Sequence, residues 1–379
     1  MNKVAVYKCN DYNASTVMQA VTRAVDTSGG IAKFVKPGQR VYLKPNLAGP
    51  FPPDKAVTTH PAVVEAVVRL VQSVGGVPVI IDSPAGVHTG PYLKTVYSIS
   101  GMEQVAKNTG AELCYDTDII DVKYPEGKVM KNFTLTKPLA QAEVIINIPK
   151  LKTHMFTTFT GAIKNFYGSV PGVMKVAYHS KFPEVQIFAQ LLLDLYNYHK
   201  PRIVLTVVDG ITAMDGNGPS WGKPKHVGII AAGTNGFAVD HVLCGIVGIN
   251  TALVPTLELM DYEIPVVEGD KVTGMTAEEF IPPESNTVTD GLIALKFIPP
   301  SLRKTFGHYL LPKPVVDKYK CRGCRVCADS CPQKTIVMRN KKARVIDSGC
   351  IRCWCCNEVC PHGAVTLKQS FLGKMLTKI

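Results

Sequence analysis

Short apolar runs alternate with longer stretches whose apolar residues recur every three to four positions through the first two-thirds of the chain. Val4–Tyr7, Arg40–Leu43, Val77–Ile81, Val144–Ile148, Ile203–Val208 and Val227–Ala231 are four- to six-residue runs rich in β-branched residues, and they predict strands. Asn13–Val25, Pro61–Val74, Glu184–Tyr198 and Phe237–Val247 carry helical stripes. Pro61 suits a first helical turn, and Gly75-Gly76 suits a stop. The alternation predicts an α/β domain over residues 1–281, built on a largely parallel or mixed sheet, with no internal repeat. From Ile281 onward Pro282, Pro283, Pro299, Pro300, Pro312 and Pro314 break the pattern around one apolar segment, Leu292–Ile298. Residues 282–314 therefore predict a Pro-rich connector packed partly on the main domain, and 315–379 a second, smaller domain.

Composition agrees with two folded units. The chain has 379 residues, 46% hydrophobic and 19% charged, which excludes a disordered protein. No apolar run approaches the ~20 residues needed to span a bilayer. Met1–Asn10 alternates like a strand and lacks a signal-peptide core or cleavage site, so a cytoplasmic location is expected.

The cysteines decide the chemistry of the second domain. Nine of twelve fall between Cys321 and Cys360, an arrangement that does not staple the large domain and so argues against a disulfide framework. Cys321, Cys324, Cys327 and Cys331 precede Pro332, and Cys350, Cys353, Cys356 and Cys360 precede Pro361. Each set spells C-x2-C-x2-C-x3-C-P, the bacterial two-cluster ferredoxin run. Two-residue gaps aim three thiolates at three corners of one cube, and the fourth cysteine points at the other cube. The spacing thus predicts two [4Fe–4S] clusters in a small α+β ferredoxin domain. Cys321, Cys324 and Cys327 share one cluster with Cys360; Cys350, Cys353 and Cys356 share the other with Cys331. Zinc usually takes its four ligands in two pairs and does not account for the duplicated pattern. Cys355 fits neither set and reads as a bystander thiol, with an alternative ligand as the second reading. Thr335–Arg339 and Ala343–Ile346 are expected to pair as short strands.

Charge is concentrated in the same region. Of a net +12, residues 315–379 carry +9, with thirteen Lys/Arg against four Asp/Glu. Two readings stand: a solvated surface, or a face for an acidic external electron carrier of the ferredoxin or flavodoxin type. Nucleic-acid binding is not expected, because neither interleaved aromatics nor a recognisable module accompanies the charge.

In the larger domain, apolar runs end in polar turn-formers. Leu43 leads into Lys44-Pro45-Asn46, Ile81 into Asp82-Ser83-Pro84, Ile148 into Pro149-Lys150-Leu151-Lys152-Thr153-His154, and Val208 into Asp209-Gly210 and then Asn217. Ligands of open α/β sheets bind at the carboxyl ends of strands, so these ends suggest one polar pocket. Asp82 and Asp209 also read as turn or helix caps, Asn217 as a turn former and Lys44 as a surface lysine. The stretch Lys150–Gly168 gathers Lys150, Lys152, His154, Thr157, Lys164 and Asn165, donors suited to an anionic small molecule, with His154 or Lys152 able to move a proton. No dinucleotide fingerprint, Walker A loop, nucleophile elbow or H-E-x-x-H motif is found.

LKPNL (Leu43–Leu47), IDSP (Ile81–Pro84), the long motif Asn147–Gly168, DGITAMDGNGP (Asp209–Pro219) and Asp240 together resemble the domain of unknown function 362 family, in its form fused to a C-terminal ferredoxin. The resemblance implies an iron–sulfur protein and supplies no substrate. The larger domain also resembles, at fold level, the N-terminal part of nickel-pincer lactate racemases, which transfers no function.

The leading expectation is an iron–sulfur oxidoreductase, in a reducing or anaerobic setting. It would reduce an anionic small molecule or an organic cofactor such as a flavin, held by Lys44, Asn46, Asp82, Ser83, Lys150, Thr157, Lys164, Asn165, Asp209 and Asn217. The alternatives are a non-catalytic electron carrier or assembly factor docking a partner redox enzyme, and a redox-neutral enzyme with structural clusters.

Overall fold

The computed structural model describes residues 2–182, 184–283 and 312–368. The larger part holds strands β1 (Lys3–Lys8), β2 (Arg40–Pro45), β3 (Val77–Ile80), β4 (Glu112–Leu113), β5 (Ile119–Lys123), β6 (Asn132–Thr136), β7 (Ile145–Ile148), β8 (Lys150–His154), β9 (Thr158–Thr160), β10 (Ile203–Asp215), β11 (Lys223–Gly233) and β12 (Val266–Gly269). The main sheet runs β12-β1-β11-β10-β7-β2-β3-β4. β10, β7, β2, β3 and β4 are parallel, and β11 runs antiparallel to β1 and β10, so the α/β sheet is mixed and mostly parallel.

Both faces are covered. Helices Ala14–Thr27 and Pro61–Ser73 pack Val17, Val21, Val63 and Val67 with Val41, Leu43, Ile146 and Val207 on one face. Helices Val185–His199 and Gly236–Ile246 pack Leu193, Tyr196 and Phe237 with Ile145, Val208 and Ala231 on the other. Two-sided burial is why these strands read as continuous apolar runs rather than alternating ones.

Two differences from the periodicity matter for the site. β10 does not stop at Val208; it continues through Asp209 to Asp215, with a register irregularity between Gly210 and Thr212. Asp209 is therefore inside a strand. Lys150–His154, a polar run, forms the fully buried β8, parallel to β10 and antiparallel to β9. Apolar patterning cannot reveal such a strand, because its polar side chains are stabilised by partners distant in sequence. Helices Gly90–Ile99, Met102–Thr109 and Gly172–Lys181 and the β5–β6 hairpin are further elements beyond the apolar runs. Most of the expected connector, including Leu292–Ile298, lies outside the described residues.

The C-terminal module has two antiparallel ribbons. β14 (Ile336–Arg339) pairs with β15 (Lys342–Val345), at the expected place, and β13 (Lys313–Val316) pairs with β16 (Val365–Lys368). The two cysteine loops share one backbone path. Left-handed residues recur at matched offsets: Gly323 and Arg352, Arg325 and Trp354, Lys334 and Gly363. A non-glycine residue there costs about 1–2 kcal/mol, so four such residues at repeated positions reflect a loop shape imposed by the module.

The module packs on the larger domain. Trp221 Nε1 donates to the Asn357 carbonyl (3.0 Å), its ring abuts Gly363, and Trp354 meets Phe156 edge-on at 6.1 Å between centroids. Trp221→Ala is expected to raise hydrogen exchange at the amides of 355–363 while leaving the main sheet protected, with a loss of about 2–4 kcal/mol at the contact. Unchanged exchange there would show that Trp221 does not hold the two parts together.

Candidate functional site

Four lysines are buried near the carboxyl ends of the parallel strands, and two are neutralised directly. Lys44 Nζ on β2 donates to Asp82 Oδ1 (2.7 Å), just beyond β3, and Asp82 Oδ2 accepts from Leu47 N (2.7 Å). Lys150 Nζ on β8 donates to Asp209 Oδ2 (2.7 Å) on β10. Asp209 also accepts from Tyr12 OH (2.9 Å) and His60 N (2.8 Å), so one carboxylate pins the starts of two helices. Both lysines and Asp209 are fully buried, and Asp82 nearly so. Burial pulls both lysine pKa values down from the ordinary range while the partner carboxylates push them back up.

Lys152 and Lys175 have no carboxylate hydrogen-bond partner among the described residues. Lys152 Nζ donates to the carbonyls of Val57 (2.8 Å) and Pro219 (3.3 Å), and burial next to Lys164 and Lys150 lowers its pKa to about 7. Lys175 Nζ donates to the carbonyls of Ser83 (2.8 Å) and Val170, and burial lowers it to about 7 as well. Lys175 was not among the sequence-predicted residues, since it sits in a helical stretch that carries no motif. Lys164 lies 5.6 Å from the Tyr167 ring centroid, with its pKa lowered by burial and supported by Glu358 and Cys355 of the cysteine module.

His154 is fully buried. Its Nδ1 accepts from the N–H groups of Phe156 (3.1 Å) and Thr157 (3.3 Å), which fixes the proton on Nε2. Nε2 stands 3.3 Å from Glu358 Oε1, near enough for attraction but out of line for a hydrogen bond. Burial and the surrounding lysines hold this imidazole neutral, with its pKa well below the usual value.

The remaining predicted residues are internal brackets. Asn46 Nδ2 donates to Asn165 Oδ1 (3.0 Å), and Asn165 Nδ2 donates to Lys44 O (3.1 Å) and Asn147 Oδ1 (2.8 Å). Ser83 lies 3.4 Å from His88 Nδ1, and Thr157 Oγ1 donates to Phe159 O (3.3 Å). Asn217 is half-buried in the turn between Gly216 and Gly218. Asp240 accepts from Ala162 N (2.6 Å) and Ile163 N (3.1 Å), capping the turn that carries Lys164 and Asn165; burial raises its pKa to about 7.

The open cleft lies directly above this layer. It has a volume of about 1180 Å³ and separates the strand-end loops from the cysteine module. Phe51, Tyr92 and Trp221 give it aromatic walls; Lys55, Lys181 and Lys334 bring positive charge, and Cys331 and Glu358 face it from the module. None of the predicted pocket residues lines this cleft. The structure brings Lys44, Asp82, Lys150, Lys152, His154, Asn165 and Asp209 into one buried layer with the half-buried Lys164 beside them, and there Lys44 and Lys150 face aspartates rather than a ligand because a desolvated charge is costly without its partner.

Within the module the cysteines separate into two cavities. Cys321, Cys324, Cys327 and Cys360 line one; Cys331, Cys350, Cys353 and Cys356 line the other, with Cys355 beside them. Each cavity thus gathers three cysteines of one loop and the fourth of the other, and such a four-thiol donor set suits an iron–sulfur cube. Among the described residues, no group of three or more His, Cys, Asp or Glu converges on a single-ion position. Backbone N–H groups of Ala343, Thr335 and Ala364 point at the sulfurs of Cys321, Cys331 and Cys360 at 3.3–3.5 Å, contacts of the kind that stabilise added negative charge.

A family model described as "Domain of unknown function (DUF362)" matches residues 41–245, more than half of the chain. The chain belongs to the DUF362 family. A second model, a 4Fe-4S dicluster domain, matches residues 313–361, so this DUF362 protein carries an iron–sulfur domain. It is 31% identical over 321 residues to a thylakoid-associated protein of Synechocystis sp., covering 82% of this chain and 95% of that one. A ferredoxin of Methanothermococcus thermolithotrophicus is 33% identical over 57 residues of the C-terminal part, 14% of this chain and 95% of the ferredoxin. Among solved structures, the lactate racemase apoprotein of Thermoanaerobacterium thermosaccharolyticum overlaps with a TM-score of 0.38 at 14% identity. The overlap covers 63% of this chain and 55% of the racemase, so this chain spans about half the length of that structure. No helix among the described residues of the DUF362 protein is long and apolar enough to cross a membrane.

The buried layer predicts two behaviours. A Cβ at Gly168 would fall on Asp82 Oδ1 and Lys44 Nζ, so Gly168→Ala must split that pair; a loss of about 3–5 kcal/mol in urea unfolding is expected. Near-wild-type stability would mean that the pair can move aside. Lys152 and Lys175 hold folded values of about 7, against an ordinary 10.5, so the folded protein binds fewer protons than the unfolded chain between those pH values. Stability contributed by these groups therefore rises from about pH 7 to 10.5 and levels off below about pH 7. Lys175→Met should flatten the rise in urea midpoint over that window; an unaltered slope would assign the effect elsewhere.

Proposed function

We propose that this DUF362 protein is a ferredoxin-coupled oxidoreductase that reduces an anionic small molecule, or an organic cofactor such as a flavin, in the cleft between its two parts. The observation carrying this reading is that Cys331 lines both the cleft and one of the two four-cysteine cavities. A ligand set that borders the cleft is suited to short-range electron transfer to whatever the cleft holds.

In this reading residues 1–281 form the binding unit and residues 315–379 the redox unit. Cys321, Cys324, Cys327 and Cys360 hold one [4Fe–4S] cluster, and Cys331, Cys350, Cys353 and Cys356 hold a second. When bound, the clusters supply one-electron storage and transfer. Phe51, Tyr92 and Trp221 hold the flat or apolar part of the ligand, and Lys55, Lys181 and Lys334 attract its negative charge. The cleft volume sits at or above the upper end of the about 300–1,000 Å³ common for small-molecule sites, which suits a sizeable ligand.

Lys152 and Lys164, close to Glu358 of the module, put positive charge beneath it and so favour added electrons there. Lys152 holds the proton that a reduction consumes. Its Nζ bonds Pro219 O next to cleft-lining Ser220, and its pKa of about 7 lets it give and regain a proton near neutrality. His154 keeps its Nε2 proton and orients the 154–157 turn against Glu358.

The test is anaerobic purification, iron and sulfide counting, and mass spectrometry of released small molecules. Eight irons with a stoichiometric organic ligand support the oxidoreductase; iron without any cleft ligand, and a stable complex with a partner redox enzyme, would favour the carrier reading. Lys152→Met is then expected to lower turnover by about 10²-fold or more with cluster spectra intact. Unchanged turnover would remove Lys152 from proton delivery.

A further inference from the structure

The two cysteine cavities are unlike in what surrounds them. The Cys331 set meets the cleft through a cysteine, whereas the other set meets it only at Pro361 and His362 and reaches the surface at Cys324, which is exposed. Around Cys324 the exposed side chains are mainly cationic: Arg322 and Arg325 line the same cavity, Arg325 pairing with the exposed Asp329 (3.5 Å), and the Lys341 carbonyl lies against Gly323. Lys342 donates to Cys321 O at 2.5 Å, tying this edge to a second surface feature.

That feature is a groove of about 650 Å³ across β13 and β15. Its lining includes Lys313, Lys318, Arg339, Lys342 and Arg344, against a single carboxylate, Asp347, which Arg352 (2.7 Å) and Lys313 (3.9 Å) already engage. Lys318, Arg339 and Arg344 make no ion pair among the described residues. Beside the groove Tyr319 stands 95% exposed, held out by a turn in which Asp317 accepts from Tyr319 N (2.8 Å) and Lys320 N (3.3 Å). An exposed aromatic beside a groove with three cations that make no ion pair, against one carboxylate, gives this face the charge and the anchor of an interface for an acidic partner.

We propose that this face docks a small acidic one-electron carrier protein, and that electrons enter the chain at the Cys321–Cys324–Cys327–Cys360 site and leave toward the cleft at the Cys331 site. The proposal deepens the oxidoreductase reading and rests on it. One electron leaves the reduced carrier and is gained by the chain; the carrier is oxidised, the chain is reduced, and no bond forms or breaks. Charge complementarity selects an acidic partner, and the exposed Cys324 selects a redox protein over a polyanion, which has no use for access to that cysteine.

The experiment titrates the anaerobically reconstituted full chain with an acidic plant-type ferredoxin, reading the dissociation constant by calorimetry at rising salt. Binding that weakens steeply with salt is expected, and Lys318→Glu/Arg344→Glu should weaken it about tenfold or more with unaltered cluster spectra. Tyr319→Ala should weaken it through faster dissociation. Equal binding by the charge-reversal variant overturns the proposal, as does comparable affinity for a DNA duplex or for phosphatidylserine vesicles at the same salt. Reduction by dithionite, followed by electron paramagnetic resonance, separates this from the function itself. Clusters that accept electrons from dithionite while the ferredoxin fails to bind defeat the docking face alone; clusters that cannot be reduced defeat the oxidoreductase.

Discussion

The ion pairs Lys44–Asp82 and Lys150–Asp209 are the constraint on which the architecture depends. Lys44–Asp82 joins the carboxyl ends of β2 and β3, Lys150–Asp209 joins the start of β8 to the middle of β10, and each carboxylate also collects backbone or phenol donors from other loops. A buried lysine left without its acid would be an uncompensated charge in a poorly polarisable interior, so strand register, loop path and helix start must all agree for either pair to form. The buried polar strand β8 exists because these partners exist. Its backbone pairs with β10 and β9, and its lysines find an acid or two carbonyls.

This layer explains how a polar set of strand ends can sit under a cleft without lining it. The paired lysines neutralise each other's acids, and the two lysines bonded only to carbonyls, Lys152 and Lys175, become weakly basic. The positive potential they leave is directed at the docked module, where Glu358 and the cysteines of one cavity lie. The cleft itself is walled by loops and aromatics and closed on one side by the module. Aromatic walls and buried charge are thus divided between two depths of the same strand ends.

The module adds a second asymmetry. Its two cysteine loops are near-copies, down to the offsets of their left-handed residues, yet one copy is pressed against the buried layer and the other faces water. Repetition in sequence gives equal ligand sets, and docking makes them unequal. The inequality comes from where each loop is seated rather than from any difference between the loops.

Local pattern was sufficient for much of this. The C-x2-C-x2-C-x3-C-P repeats, the apolar strands β2, β3 and β7 and the stripes of Ala14–Thr27 and Pro61–Ser73 are short-range signals, set by covalent spacing and by one face meeting a core. The motif residues Lys44, Asp82, Lys150, Asn165 and Asp209 were also legible as a polar group gathered near strand ends. Their orientation was not, because whether a lysine faces a ligand or an aspartate depends on a partner 38 or 59 residues away. Lys175, the continuation of β10 past Asp209 and the seating of Trp221 on Asn357 had no local signature either. Sequence by itself determined the apolar strands, the striped helices and the spacing of the eight motif cysteines. Tertiary structure alone decided which charges are buried, which cysteines border the cleft and which reach the surface, since burial and pairing belong to contacts that no single segment contains.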